Sequence, residues 1–132
     1  MSGESLIHVR LVERLIMYVR ERHCPPRGLL LLADHHSFST NRPLRIGGFL
    51  PDLFASDLPV TFEVLGEAKT PSDLETRRSA RQITAFLDHL AVRPRSTFYL
   101  SVPPFAKGRA RSVLDQLIRP EHCGIGIEVM RR

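Results

Sequence analysis

Two acids and a lysine pose the chemical question in this sequence. A Pro51-Asp52 step is followed, after 14 intervening residues, by Glu67-Ala68-Lys69. Along a strand over 62–69, alternate side chains leave opposite faces, so Glu67 and Lys69 share one face while Phe62, Val64 and Ala68 share the other. Ser56, Asp57 and Pro59 supply turn chemistry between the two acids, enough for a hairpin connection that sets both carboxylates side by side. Two carboxylates beside one ammonium could hold a divalent cation, which is a phosphodiester-cleaving arrangement in outline. Asp52 adds its own argument. It stands among Phe49, Leu50, Leu53 and Phe54, where burying a carboxylate is costly unless it meets a cation or several donors.

In order and spacing, Pro51, Asp52, Glu67 and Lys69 resemble the motif of the PD-(D/E)xK nuclease superfamily, the restriction-endonuclease-like proteins. The resemblance implies a metal-dependent nuclease that hydrolyses phosphodiester bonds, in DNA ahead of RNA. It implies Mg²⁺, with Mn²⁺ as a substitute, held by Asp52, Glu67 and the backbone carbonyl of Ala68, and Lys69 assisting direct attack by water. Members of the superfamily often bring an acid from the first helix to the metal, which makes Glu13 a candidate. Some place a glutamine on the helix after the lysine strand, which points to Gln82. Exonuclease-like members carry Q-x-x-x-Y there, and this chain has Phe86 at the tyrosine position.

The elements that must position these groups follow from periodicity. Residues 4–22 predict a helix with Val9, Val12, Leu15, Ile16 and Val19 on one stripe, ended by Cys24-Pro25-Pro26. The apolar run 28–33 reads as a strand buried on both faces, and 34–43 as a polar loop in which His35 and His36 lack a second ligand cluster at zinc spacing. Residues 44–55 predict a second strand entered through Gly47-Gly48, and 62–69 a third. Thr70 before Pro71, or Ser72 with Glu75, starts a helix whose apolar stripe is Ile83, Phe86, Leu87 and Leu90. A fourth strand over 97–102, a helix over 106–118 and a last strand over 124–130 complete the chain. The expected fold is α/β: an αβββαβ core over roughly residues 4–102, as the resemblance implies, with a mixed central sheet flanked by helices and an extra α-β at the end.

Composition bounds the partners. At 132 residues the expectation is one domain, with no room for a separate recognition module, so specificity falls to loops, a homodimer or a targeting subunit. Of 19 basic residues only Lys69 and Lys107 are lysines, leaving 17 arginines against 14 acids, for a net charge of +5. Arginine forks suit phosphate, and a basic domain suits nucleic acid. The candidate nucleic-acid contacts are Arg77, Arg78 and Arg81 on the helix after the lysine strand, with Lys107 and Arg109 at the start of the next helix, where the positive helix end disfavours cations unless a phosphate balances them. Two cysteines make no disulfide framework, and neither a leader nor an apolar run of membrane length is evident, so a cytoplasmic protein that does not enter a membrane is expected. The doublets His23-Cys24 and His122-Cys123 could form a zinc site only if they met in space. Two competing readings remain: a catalytically silent nucleic-acid-binding or assembly module with the same fold, and a structural α/β protein whose acids and lysine are salt bridges.

Overall fold

The computed structural model describes residues 5–130. It has a five-stranded mixed sheet with helices on both faces. The order along the sheet is the order along the chain: β1 (Leu29–Ala33), β2 (Leu53–Asp57), β3 (Glu63–Ala68), β4 (Ser96–Ser101) and β5 (Ile125–Val129). The first two pairings are antiparallel and the last two parallel. The two parallel pairings need crossover connections. These are α2 (Pro71–Leu74) with α3 (Arg77–Ala91) between β3 and β4, and α4 (Lys107–Leu117) between β4 and β5. The expected element order holds, and so does the α/β class.

Helix α1 (Leu6–Arg22) starts where the Ser5 side chain accepts the His8 N–H, and it buries Leu11, Val12, Leu15, Ile16, Tyr18 and Val19. That face packs on Ala55, Val64, Ala68 and Tyr99 on one side of the sheet. Gly66 permits the close approach: a Cβ there would stand 2.7 Å from Leu15. Helices α3 and α4 cover the other side, where Ile83, Phe86, Leu87 and Leu90 meet Leu65, Phe98 and Leu100. Strand β3 is therefore buried on both faces, and its polar ends sit inside the fold.

Three expectations about elements need correction. The strand expected over 44–55 begins only at Leu53, because Gly47 and Gly48 adopt positive φ in a tight turn closed by an Ile46–Phe49 bridge. The apolar run 28–33 is not buried on both faces: β1 is an edge strand and Leu30 is 41% exposed. The single helix expected after Lys69 is two helices, since Thr76 interrupts the run and caps α3 by accepting the Ser79 N–H. No helix among the described residues is long and apolar enough to cross a membrane.

Candidate active site

Antiparallel pairing puts the start of β2 beside the end of β3, with Leu53 opposite Gly66. Asp52, just before Leu53, and Glu67, just after Gly66, therefore become neighbours. Side chain and backbone tie the two strand ends together: the Asp52 N–H donates to Glu67 Oε1 at 3.0 Å, and the N–H of Ala68, next to Glu67, donates to Asp52 Oδ2 at 2.8 Å. Lys69 Nζ stands 3.3 Å from Glu67 Oε2 and donates to Gln82 Oε1 from α3. Asp52, Glu67 and Lys69 are all buried. These groups, with Arg45, Arg78 and Ser79, line a cleft of about 350 Å³ at the carboxyl ends of the parallel strands, where ligands of open α/β sheets bind.

Electrostatics mark this cluster as unbalanced. Burial first, and then the adjacent Asp52 carboxylate, push the Glu67 carboxyl well above the usual range, while Lys69 pulls it back. Lys69 pairs with Glu67 while His8 Nε2 lies 3.4 Å from Asp52 Oδ2, and a divalent cation between the two carboxyl groups would displace the proton that burial favours on Glu67. The donor set suits a hard cation, which takes carboxylate and carbonyl oxygens and keeps several waters. Among the described residues no three His, Cys, Asp or Glu side chains already stand as a metal-binding cluster, so any such ion would lean on the Ala68 carbonyl and on water.

The structure brings Asp52, Glu67, Ala68, Lys69 and Gln82 together as expected, and it places the other candidates elsewhere. Glu13 does not reach the cleft. It is 47% exposed on its side chain and pairs with His35 Nε2 at 2.9 Å. The residue of α1 that does face Asp52 is His8, whose Nε2 lies 3.4 Å from Oδ2. Glu13 is five residues further on, which displaces it by about 7.5 Å along the helix axis and turns it to another side. Sequence reasoning passed over His8; its only signal was its position three residues after Ser5, which is a capping offset rather than a catalytic one.

Of the five basic candidates, only Arg78 lines the cleft. Arg77 and Arg81 are exposed on α3 away from it. Arg109 donates to Glu75 at 2.6 Å and to the Pro71 carbonyl at 3.3 Å, so an ion pair rather than a phosphate accounts for its place at the start of α4. Lys107 also has an interaction partner. The His-Cys doublets form no joint site: His23 bonds the Tyr99 hydroxyl at 2.8 Å, His122 bonds Asp88 at 2.8 Å, and both cysteines are free and exposed. Phe86, at the tyrosine position of the exonuclease pattern, is wholly inside the core.

No family model matches the sequence, and no curated protein matches it. Among solved structures it is similar to that of Pyrococcus furiosus SfsA in complex with Ca²⁺, at 17% identity and a TM-score of 0.52. The match covers 91% of this chain and 56% of that one, so the chain spans little more than half the length of this relative. What the two share is the fold, a mixed α/β sheet with flanking helices.

Proposed function

We propose that the chain is a metal-dependent phosphodiesterase of the PD-(D/E)xK type acting on nucleic acid, with DNA as the first substrate to test. The observation that carries this reading is the burial of Asp52 and Glu67 together against the single ammonium of Lys69, at the rim of an open polar cleft. Asp52, Glu67 and the Ala68 carbonyl would hold Mg²⁺ or Mn²⁺. When bound, such an ion supplies Lewis acidity that acidifies water and neutralises charge on the scissile phosphate. Lys69 is fixed between Glu67 and Gln82, so its charge is pre-aimed at the cleft, where it would orient the attacking water and offset negative charge as it develops. Gln82 acts through Lys69 as a positioning residue. His8 flanks Asp52 from the α1 side, its Nε2 3.4 Å from Oδ2, where it would help orient that carboxylate. The SfsA structure is of a complex with Ca²⁺, a hard cation of the kind this oxygen set would accept. A second copy or a targeting partner would add sequence or structure specificity.

The test is cleavage of plasmid, single-stranded and branched DNA with Mg²⁺ or Mn²⁺ by the wild-type chain, Asp52→Asn and Lys69→Ala. Loss of turnover in both variants with nucleic-acid affinity retained is expected, since affinity comes largely from phosphate contacts. Turnover surviving both would refute the assignment. A specific observation favours a second reading, the silent nucleic-acid-binding or assembly module: Lys69 is already bonded to Glu67 and Gln82, and no three-ligand side-chain cluster exists among the described residues. That reading gives salt-sensitive binding without metal-dependent turnover on any substrate.

A further inference from the structure

Ser79 lies in the first turn of α3, lines the same cleft as Lys69, and is 1% exposed. Its hydroxyl oxygen is buried and has no hydrogen-bond partner. A buried hydroxyl left unpaired is destabilising relative to a paired one, so its persistence at a cleft wall points to a ligand. The surroundings indicate the sign of that ligand. The opening turn of a fifteen-residue helix carries N–H groups without intrahelical acceptors and the positive end of the helix dipole. Thr76 satisfies the Ser79 N–H, which leaves those of Arg77 and Arg78 directed out of the helix end.

Two guanidinium groups line the same cleft as this turn. Arg78 lies over the Phe49 ring at 5.5 Å, and Arg45 donates to the Gly48 carbonyl at 3.2 Å; both line the cleft. Each is held by a neutral partner, and neither takes part in an ion pair among the described residues, unlike Arg22, Arg42, Arg93, Arg109 and Arg119. The Gly47-Gly48 turn makes the assembly possible. It brings the 44–52 loop so close to α3 that a Cβ on Gly47 would stand 2.9 Å from the Ala85 side chain. Two further carboxylates line the cleft, and both are engaged: Asp34 with Arg42 at 2.6 Å, and Asp73 with the Thr70 hydroxyl at 3.1 Å.

We propose that Ser79, Arg78, Arg45 and the first turn of α3 form a phosphate-binding subsite, which takes a phosphate of the nucleic-acid strand adjoining the one to be cleaved. The adjoining-phosphate role rests on the phosphodiesterase reading, whereas binding of the anion does not. A terminal phosphate and an internal phosphodiester offer the same oxygens to this subsite.

The experiment uses the full chain in the presence of a chelator, so that no divalent ion intervenes. Thermal unfolding is followed with inorganic phosphate against chloride at matched ionic strength, for the wild type, Ser79→Ala and Arg78→Gln. Binding of 5′-phosphorylated and 5′-hydroxyl oligonucleotides is measured in parallel. Phosphate is expected to raise the wild-type midpoint. Ser79→Ala is expected to unfold no earlier than wild type without phosphate, since it removes an unpaired hydroxyl, yet to bind phosphate about tenfold more weakly. Arg78→Gln should lose at least as much. If the wild type prefers the 5′-phosphorylated strand and both variants lose that preference, the subsite takes a chain end; if both oligonucleotides weaken equally, it takes an internal phosphate. Absence of a phosphate-specific shift in the wild type, or wild-type phosphate affinity in both variants, overturns the subsite. Phosphate binding without metal-dependent cleavage would instead sink only the phosphodiesterase reading.

Discussion

Strand β3 carries a buried glutamate near each end, and the two are treated differently. Glu63, at the start of the strand, meets His89 Nε2 at 2.9 Å and Arg93 Nε at 2.9 Å, one nitrogen on each carboxylate oxygen. Glu67, near the other end, meets Lys69 Nζ at 3.3 Å through one oxygen, and its carboxyl is pushed upward by burial and by the adjacent Asp52. The first is a closed pair that fastens α3 to the sheet. The second sets two carboxyl groups side by side at the edge of a cleft, where burial favours the protonated form of Glu67. The same residue type on the same strand is matched by two nitrogens at Glu63, whereas Glu67 has one and adjoins a second carboxyl, which is where the proposed cation would sit. A buried charge indicates function only when its partners are counted.

Substitutions at the two ends should separate these roles. The largest effect is expected from Asp52→Asn: a loss of metal-dependent turnover by about three orders of magnitude or more, with the fold intact by circular dichroism. Next in size, Glu63→Gln should destabilise the protein by about 2 kcal/mol, since it leaves His89 and Arg93 facing an uncharged amide at a partly exposed site. Turnover per folded molecule should be unchanged. Denaturant unfolding alongside the cleavage assay reads both quantities, and a Glu63→Gln protein that is stable but inactive would dissolve the distinction.

Glu67→Gln should behave in the opposite way, inactive yet at least as stable as wild type without metal. The sign follows from linkage. A carboxyl raised in the folded state binds more protons there than in the unfolded chain at pH values between the ordinary glutamate range and its folded pKa. Its contribution to stability is therefore present below that window and falls as pH rises through it. Unfolding followed upward from about pH 4.5, near the ordinary glutamate value, should show this decline in the wild type and a flatter profile in Glu67→Gln. The smallest effect belongs to a closed cluster far from the cleft. The hydrogen bond from His122, and then Arg119, hold the Asp88 carboxyl below its usual range, so its stabilisation is present above the unfolded carboxylate range and is lost as pH falls through the lowered value. Asp88→Asn should cost about 0.5 kcal/mol at neutral pH and nothing measurable in acid.

The centre of the site was legible in the sequence because strand alternation and hairpin register are local rules. Two-residue periodicity put Glu67 and Lys69 on one face, and antiparallel pairing did the rest. The periphery was not legible, for identifiable reasons. Helical periodicity marks the buried stripe of α1 but not which flanking residue meets a partner, so Glu13 was expected where His8 stands. The apolar residues Leu44, Ile46, Phe49 and Leu50 read as strand, although Gly47 and Gly48 turn the chain there and carry Arg45 to the cleft. Arg109 was read through the helix dipole alone, and its partner Glu75 lies in a connection whose path no periodicity describes. A run of leucines likewise does not tell an edge strand from an inner one, as β1 demonstrates.

The central claim is that the Asp52–Glu67 pair is short of a cation, and calorimetric titration with Mn²⁺ tests it most directly. The wild type should take up the ion saturably, and Asp52→Asn should not. Equal uptake by both proteins, or none by the wild type, would mean that Lys69 already satisfies the pair and that this cleft is not a metal site.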